Sequence, residues 1–372
     1  MRKILTILFS VITLIYVFGC SKEKQSQIDI GAALLLTGDN ALWGQNAKKA
    51  IDLLVEETNN TGGIHGKKIR VIYEDTKGDP KTSIAAFNKL TEVDKVPVVM
   101  GDMLSSTTLA MASLSDEKKV PLIGISCSSP AVTQAGPYIY RVWPSDLYEG
   151  EVAATWAYNK GYKNISIVYL NNDYGDGLRN VFKSKFISLG GKLLDEETFT
   201  DQDKDFRSIA IKIKNKNPDI IYIVGYYENT AFIVKQFREM EIKSLLLGTS
   251  SSVHQRLIEI AGKSAEGFLS ALVNDFDLEN LNIEQKSFLK KFREKYGADP
   301  DWASTHGGDA FLVVKSCLLS GSMTGEEIKT CIDTQKEFRG INLGIIFDKN
   351  GDITSKPIVI KEVVNGKFIS KR

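Results

Sequence analysis

Residues 121–133 read PLIGISCSSPAVT, an apolar run that stops abruptly in a cluster of small hydroxyl side chains. A second apolar run, VPVVMG at residues 96–101, ends in the same way, because SSTT follows it at residues 105–108. The spacing of the apolar residues between the two runs predicts a helix over residues 106–118. Two short apolar strands joined by a helix are typical of a βαβ unit, in which the strands are parallel and buried on both faces.

The same alternation of strands and helices extends in both directions from this unit. Upstream lie a strand from Ile28, a helix over about 44–60, the strand KKIRVIYED and a helix over 80–94. A second series follows Trp143 and Pro144, with strands predicted at NISIVYL, GKLLDEETF, DIIYIVG and SLLLG. We therefore predict an α/β fold with two lobes, each built on a doubly wound parallel sheet.

The residues beyond 275 are too few and too mixed in pattern for a third domain. Two or three helices come first, and two strand-like stretches follow around an Asn350-Gly351 turn. We expect the helices to join the first lobe and the strands to join the second. The predicted organisation is a signal peptide at 1–19, a tether at 20–27, lobe I at 28–143 plus 275–354, and lobe II at 144–274 plus 355–372.

The N-terminus has the features of an export signal. A positive start, MRK, precedes an apolar stretch from Ile4 to Phe18 that is shorter than the ~20 residues of a membrane-spanning helix. The following VFGC resembles a bacterial lipobox, with phenylalanine bulky for its place and valine instead of the usual leucine. The resemblance implies cleavage before Cys20 and a lipid anchor on its thiol, and the alternative is an ordinary signal cleaved nearby. Both place the protein outside the cytoplasm, in the periplasm or at the cell surface.

Composition and motifs argue against several other classes of protein. The formal net charge is +1 with both signs interspersed, so no nucleic-acid partner is expected. The histidines His65, His254 and His306 lie far apart, so we expect no metal site, and no motif indicates a cofactor. Ser128 stands where a G-x-S-x-G nucleophile motif requires glycine, which argues against an enzyme.

The cysteines leave one question open. With Cys20 lipidated, Cys127, Cys317 and Cys331 remain, which is not a disulfide framework. Cys317 and Cys331 lie on neighbouring predicted helices and are able to pair in an oxidising compartment. Their spacing fits equally well with two buried free thiols.

The two hydroxyl clusters predict a binding site for a polar group. The carboxyl ends of parallel strands are where ligands bind in open α/β sheets, and Ser105, Ser126 and Ser128 all follow such ends. Serine hydroxyls and the free N–H groups at the start of the next helix form a neutral cradle for a carboxylate. The alternative is that these serines only cap helices. Trp43, Tyr174 and Tyr226 also follow strand ends and suit the apolar body of a ligand.

Several stretches together resemble a known family. LTGDNALWGQNAKK, the SST cluster, GISCSSPAVT, YGDGL and FDKNGDI resemble the branched-chain amino-acid (Leu/Ile/Val) binding proteins of ABC transporters, which are type I periplasmic binding proteins. The similarity runs from about Ile28 to the C-terminus with the motifs in the same order. It implies two lobes joined by three crossovers, here near Trp143–Ser145, Val273–Asp275 and Ser355, that close around a small ligand.

The resemblance also implies roles for individual residues. Ser105 corresponds to a serine that holds the ligand carboxylate, and Ser126 and Ser128 correspond to two small residues beside it. Trp43 corresponds to an aromatic residue that covers the ligand side chain. Tyr174, in the YGDGL loop, and Tyr226 correspond to tyrosines that contact the ligand from the second lobe.

Two departures from the family pattern affect the ligand. Amino-acid binders place an acid two residues after the glycine that ends the SLLLG strand, to hold the ammonium group, and here that position is Ser250. Ser250→Glu is therefore expected to strengthen amino-acid binding. The acids considered as replacements are Asp39, Asp173, Glu228 and Asp275. Members of the family often carry bulky aromatic residues near Asp309, whereas this chain reads WASTHGGD at 302–309, which predicts a wider pocket there.

We therefore interpret the sequence as that of an extracytoplasmic solute-binding lipoprotein of an ABC importer. Its expected partners are a small amino acid or a related carboxylate or amide, an ABC permease in the cytoplasmic membrane, and the lipid anchor. A ligand-binding component of a membrane sensor is the alternative. An enzyme is a third and weaker hypothesis, because no base lies near the serines in sequence.

Overall fold

The computed structural model describes residues 27–273, 281–342, 344–353 and 357–370. The predicted signal peptide, Cys20 and its tether up to residue 26, the candidate acid Asp275 and the crossover near Ser355 lie outside the described residues. These features stay predictions.

Strands and helices alternate through most of the chain. The strands are β1 (Ile28–Leu34), β2 (Ile69–Asp75), β3 (Val99–Met100), β4 (Leu122–Gly124), β5 (Ile139–Arg141), β6 (Asn164–Leu170), β7 (Lys192–Phe199), β8 (Ile220–Val224), β9 (Leu245–Gly248), β10 (Leu269–Val273), β11 (Phe338–Arg339), β12 (Gly344–Ile345), β13 (Ile358–Val364) and β14 (Lys367–Ser370). The α-helices are α1 (Ala41–Asn60), α2 (Pro80–Asn88), α3 (Ser105–Lys118), α4 (Asp146–Asn159), α5 (Asp173–Ser188), α6 (Arg207–Lys216), α7 (Tyr227–Glu239), α8 (Gln255–Ala261), α9 (Ile283–Tyr296), α10 (Trp302–Leu319) and α11 (Gly325–Thr334).

The first sheet has five strands in the order β2-β1-β3-β4-β5, and every neighbouring pair is parallel. Alternate residues of a strand point to opposite faces, and both faces of β1 are buried. Ile30 belongs to a core cluster with Ile51 of α1, whereas Ala33 belongs to a second cluster with Phe87 of α2 and Met111 of α3. Helices therefore cover both faces, as the continuous apolar runs predict.

The second sheet has seven strands in the order β14-β13-β10-β9-β8-β6-β7. Strands β6 to β10 pair in parallel, and all five residues of β8 are buried. The C-terminal strand β13 joins β10 antiparallel, and β14 folds back on β13 through a turn at Asn365-Gly366 with positive φ at both residues. The predicted α/β fold with two parallel-sheet lobes is confirmed.

The C-terminal third of the chain adds helices beside the first sheet and strands to the second sheet. Helix α10 packs closely on α1, where a Cβ atom at Gly307 would lie 2.7 Å from the Cα of Ala47. Because α10 rests against the first sheet's helix while β13 extends the second sheet, the chain returns from one unit to the other after β10 and again before β13. We propose lobe boundaries as predicted, at 28–143 plus 275–354 and 144–274 plus 355–372.

The question left open by the cysteines has an answer in the structure. Cys317 of α10 and Cys331 of α11 form a disulfide, with their Cα atoms 5.7 Å apart. Cys127 is buried and free. Among the helices within the described residues, none combines the length and hydropathy needed to cross a membrane.

Candidate functional site

Two similar strand-to-helix turns, one in each lobe, position aromatic residues that the sequence predicted to bind ligand. Helix α1 follows β1 so closely that a Cβ atom at Gly44 would lie 1.9 Å from the carbonyl oxygen of Leu35. Helix α5 follows β6 in the same way, because a Cβ at Gly175 would lie 1.8 Å from the carbonyl oxygen of Leu170. Only glycine permits this approach. The residue before each glycine is aromatic, Trp43 in one lobe and Tyr174 in the other.

The hydroxyl clusters after β3 and β4 are joined to each other by hydrogen bonds. Ser105, the first residue of α3, accepts a hydrogen bond from the backbone N–H of Ser129 at 3.1 Å. Ser126 donates to the carbonyl oxygen of Met103 at 2.8 Å. Neither hydroxyl caps a helix, since Leu104 is the N-cap of α3 and makes no side-chain capping bond. Ser129 does act as a cap, for the 3-10 turn Pro130–Gln134.

A buried arginine fixes the loop that carries Ser128. The guanidinium of Arg141, which is fully buried, donates to the carbonyl oxygens of Cys127 at 3.2 Å and Ser129 at 2.9 Å. It also donates to the Thr133 hydroxyl at 2.6 Å and forms an ion pair with Asp352 at 2.6 Å. Each of its three nitrogens therefore donates to the loop or to one carboxylate, so the arginine holds the shape of the loop.

The second lobe contributes two tyrosines that lie parallel to each other. The rings of Tyr174 and Tyr226 stack with centroids 5.5 Å apart. The Tyr174 hydroxyl donates to the Thr249 hydroxyl at 2.8 Å and accepts from Ser251 at 2.9 Å. The Tyr226 hydroxyl accepts from the Asn172 amide at 3.3 Å. These bonds fix the rings, and burial raises the pKa of both phenols, so both stay protonated at neutral pH.

A buried acid that sequence reasoning missed lies beside Ser250. Glu149, in the first turn of α4, is 4% exposed. One carboxylate oxygen accepts the backbone N–H of Ser250 at 2.9 Å, and the other accepts its hydroxyl at 2.6 Å. Burial raises the pKa of Glu149 to about 7, against the lowering effect of these two bonds. Burial and the neighbouring Glu149 likewise raise the pKa of the buried Asp146.

All seven binding residues predicted from the sequence line a single cavity between the two sheets. The cavity is tightly closed, since only about 20 Å³ of it is open to the centre of a water-sized sphere. The predicted residues in its wall are Trp43, Ser105, Ser126, Ser128, Tyr174, Tyr226 and Ser250. The wall also contains Met103, Leu104, Trp143, Glu149, Ser251 and Trp302. The role of each residue in ligand binding stays a prediction.

Three of the four acids considered as replacements for the missing one do not reach the cavity. Asp39 and Glu228 line a separate groove at the protein surface together with His254, and Asp173 is exposed at the start of α5. Asp275 lies outside the described residues. Glu149 stands next to position 250 instead, because the first turn of α4 runs beside the end of β9. The candidates Asp39, Asp173 and Glu228 are therefore wrong.

The expectation of extra width at residues 302–309 is also wrong. Trp302 begins α10 and its ring enters the cavity wall, with centroids 5.3 Å from Trp43 and 5.1 Å from Trp143. The indole N–H groups of Trp43 and Trp302 have no hydrogen-bond partner within the part of the chain that the structure describes. Three indoles thus narrow the cavity on one side. The sequence could have indicated this, because Trp302 is the first residue of the stretch WASTHGGD.

Little in the sequence indicates that Asp146 and Glu149 are buried. Two acids in the first turn of a helix, such as Asp146 and Glu149, usually complement the helix dipole from the surface. Nothing in the spacing distinguishes that role from a buried one. Metal binding has no support within the described ranges, where no group of three or more His, Cys, Asp or Glu side chains is arranged to hold an ion.

Comparison with known proteins gives a consistent result. A family model described as periplasmic binding protein matches residues 27–367. The "Leu/Ile/Val-binding protein homolog 1" of Brucella melitensis is 26% identical over 356 residues, which cover 95% of this chain and 94% of the relative.

Two solved structures are similar over most of the chain. The leucine-binding protein LivK of Thermotoga maritima has 29% identity and a TM-score of 0.86, covering 93% of this chain and 98% of that one. The branched-chain amino-acid binding protein LivJ of Streptococcus pneumoniae, solved in complex with isoleucine, has 25% identity and a TM-score of 0.85, covering 93% of this chain and all of that one (100%).

Proposed function

Since this chain belongs to the periplasmic binding protein family, we propose that it captures a small amino acid, or a related carboxylate or amide, between its lobes and delivers it to an ABC permease. It is a substrate-binding protein of the type that serves ABC transporters and acts outside the cytoplasm, and it is not an enzyme. The identity of the ligand and the closing motion belong to the proposal.

The observation that carries the proposal is the composition of the cavity wall. Strand ends of both sheets contribute to it: Trp43 and Ser105 follow β1 and β3, and Tyr226 follows β8. A ligand in this cavity touches both lobes at once. Ligands of open α/β sheets bind at the carboxyl ends of the strands, which is where these residues lie.

Hinge closure follows from this arrangement. A ligand that contacts both lobes only when they are close together binds the closed form more tightly than the open form, and so shifts the population to the closed form. The ring contact between Trp43 and Tyr226, which are 2% and 3% exposed, supports a closed form in which the two lobes meet. The permease is then able to distinguish loaded from empty protein.

The carboxylate end of the ligand fits lobe I. Helix α3 begins at Ser105, and the first N–H groups of a helix have no partner within it, so they attract an anion together with the helix dipole. Ser105 and Ser128 add hydroxyl groups at this end of the cavity. Among the described residues, no lysine or arginine lines the cavity, so neutral donors are left there to bind the carboxylate.

The proposal also includes a lipid anchor at Cys20. A lipid on Cys20 would hold the protein at the membrane surface, close to the permease. Mass spectrometry of protein extracted from membranes tests this part, with a diacylglyceryl-modified Cys20 as the N-terminal residue expected. An unmodified N-terminus at another position would contradict the anchor without affecting solute binding.

The solute-binding proposal is tested on the purified protein in two steps. Native mass spectrometry of the protein as isolated identifies any retained ligand by its mass. Titration with leucine, isoleucine, valine and phenylalanine, and with their analogues lacking the amine, then uses tryptophan fluorescence, because Trp43, Trp143 and Trp302 line the cavity. Small-angle scattering on the same samples should show a smaller radius of gyration with ligand.

We expect saturable binding of at least one compound, accompanied by compaction. A protein that retains nothing and binds no member of the panel contradicts the proposal. Loss of uptake of the bound compound in cells lacking the protein separates an importer from a sensor, since a sensor leaves uptake rates unchanged.

A further inference from the structure

Glu149 is a buried carboxylate in the wall of the cavity, and its local partners leave its charge uncompensated. It accepts two hydrogen bonds, both from Ser250, which is a neutral residue. Within the described residues, the influences on its pKa are burial, which raises it to about 7, and the two Ser250 bonds, which lower it. An ionised carboxylate removed from water without a counter-charge is strongly unfavourable, as is the charge left behind when a buried ion pair is broken.

A second buried acid lies beside Glu149 on the same helix. Asp146 lies one helical turn before Glu149 and is 1% exposed. Its Oδ2 atom has no hydrogen-bond partner within the described residues. Arg141 is the cation that acts on Asp146, but its donors bind two loop carbonyls, the Thr133 hydroxyl and Asp352. The part of the chain that the structure describes therefore places two buried acids here without a cation that is free to pair with them.

The rings around the cavity also favour a positive group. Trp43, Trp143, Trp302, Tyr174 and Tyr226 all line it. The face of an aromatic ring carries partial negative charge and attracts ammonium groups within about 6 Å. An acid and five aromatic rings around one space form a better environment for a cationic group than for a second anion.

From this geometry we propose that Glu149 accepts hydrogen bonds from a protonated amine of the ligand, so that the ligand class is amino acids rather than simple carboxylates. The inference rests on the proposed function, and it names the residue that takes the role of the acid missing at position 250. Ser250 then acts as a positioning residue, since its N–H and hydroxyl hold the Glu149 carboxylate in place. Glu149 and Ser250 both belong to lobe II as proposed, so the acceptor is assembled before the lobes close.

The test compares ligands that differ in the amine alone. The probes are L-leucine with 4-methylpentanoate, and L-phenylalanine with 3-phenylpropanoate, measured by calorimetry on the full protein. We expect wild type to bind at least one amino acid about 100-fold more tightly than its partner lacking the amine, because an unpaired buried charge remains in the second case. Glu149→Gln should reduce that ratio to within about tenfold.

The matched control is Glu151→Gln, which makes the same chemical change two residues away on the exposed side of α4. It should leave both affinities and their ratio unchanged. Glu149→Gln removes a buried charge, so its melting temperature without ligand should equal or exceed that of wild type. Glu149→Asp, which keeps the charge but shortens its reach, is the second variant if the glutamine protein does not fold, and it should weaken amino-acid binding selectively.

The possible failures are distinguishable. If wild type binds the compounds without an amine as tightly as the amino acids, the role of Glu149 is wrong while solute binding stands. If Glu149→Gln weakens both members of a pair equally, the residue shapes the cavity without binding an amine. If no probe binds and no ligand is retained, the proposed function itself fails.

Discussion

The indole ring of Trp43 meets the ring of Tyr226 edge to face, with centroids 5.3 Å apart. Trp43 belongs to the helix after β1 and Tyr226 follows β8, so this contact joins the two sheets directly. Both residues line the cavity. If the lobes move apart as proposed, this contact would be lost.

Removing the Tyr226 ring should weaken ligand binding. Tyr226→Ala deletes its contacts with Trp43 and Tyr174, and aromatic pairs of this kind contribute about 0.5–1.5 kcal/mol each beyond their buried area. We expect about a tenfold or greater loss of affinity for the compound identified by mass spectrometry, measured by calorimetry. Tyr226→Phe keeps both ring contacts and is the matched control. Equal losses in the two variants would mean that the hydroxyl, and not the ring, is responsible.

Gly177 marks a second point of contact between the lobes. A Cβ atom there would lie 2.9 Å from Pro130 Cδ and 2.9 Å from Ser129 Oγ, which belong to the loop after β4. Gly177→Ala should stabilise helix α5 by up to about 1 kcal/mol and yet weaken ligand binding, because the added methyl group obstructs the closed state alone.

Thermal melting without ligand and calorimetry with ligand should therefore change in opposite directions for Gly177→Ala. The control is Asn180→Ala on the exposed side of the same helix, which should raise the melting temperature slightly and leave affinity unchanged. Unaltered affinity in Gly177→Ala would show that the binding conformation is more open at this contact than the one described.

The effect expected for Ser250→Glu is now the reverse of the sequence-based expectation. A carboxylate at position 250 would replace the hydroxyl that donates to Glu149 and place a like charge beside it. We expect weaker leucine binding and lower stability, whereas Ser250→Ala should cause a smaller loss of about 1 kcal/mol for one hydrogen bond. Calorimetry and thermal melting of both variants provide the measurement, and a gain in affinity in Ser250→Glu would contradict the assignment of Glu149.

Amine binding should depend on pH through Glu149. Burial raises its pKa from 4.5 to about 7, so the folded protein without ligand holds this proton more tightly than the unfolded chain does. Its contribution to stability is therefore present below about pH 4.5 and is lost as pH rises through about 7. A ligand ammonium group requires the ionised form. Leucine affinity should consequently fall by up to about tenfold per pH unit below 7.

Glu149→Gln isolates this effect from the other groups nearby. Asp146 and the Tyr174 hydroxyl face the same space, and the buried Asp102, whose pKa is raised to about 6, also titrates in this range. These groups remain in the variant, so the difference between the two pH profiles belongs to Glu149. Calorimetry in buffers of different ionisation enthalpy should detect proton release on leucine binding in wild type. Superimposable profiles would contradict the prediction.

The disulfide should stabilise lobe I without affecting the site. It links α10 to α11 across a sequence separation of 14 residues, and a loop of about this size gives ~3 kcal/mol in the chain-entropy treatment. The double variant Cys317→Ser/Cys331→Ser should lose about 2–4 kcal/mol in guanidinium unfolding. Its ligand affinity should equal that of wild type, since neither cysteine lines the cavity. Reduced wild type is the matched comparison, and a change in affinity would indicate that α10 shifts at Trp302.

The parts of the molecule governed by local rules were predictable from the sequence. Buried parallel strands appear as apolar runs, and the end of each run marks the edge of the sheet where ligands bind, so Ser105 and Ser126 were found from their position alone. The predicted bounds differ from the structure by a few residues, as in α1, which begins at Ala41 and not at Gly44.

Contacts between distant segments were not predictable in the same way. Glu149 and Ser250 are 101 residues apart and meet because the first turn of α4 runs beside β9. Periodicity describes which face of a helix is buried, but not which strand end that face adjoins. The disulfide is a similar case, since its spacing fitted both paired and free thiols until the packing of α10 and α11 was known.

At the strand-to-helix turns of Gly44 and Gly175, one residue allows the tight turn and the residue before it lines the cavity. Each glycine alone satisfies the steric demand of the tight turn, so the side chain immediately before it carries no structural obligation there. Exchanging the ring at position 43 or 174 for another would therefore change the wall of the cavity without straining either turn.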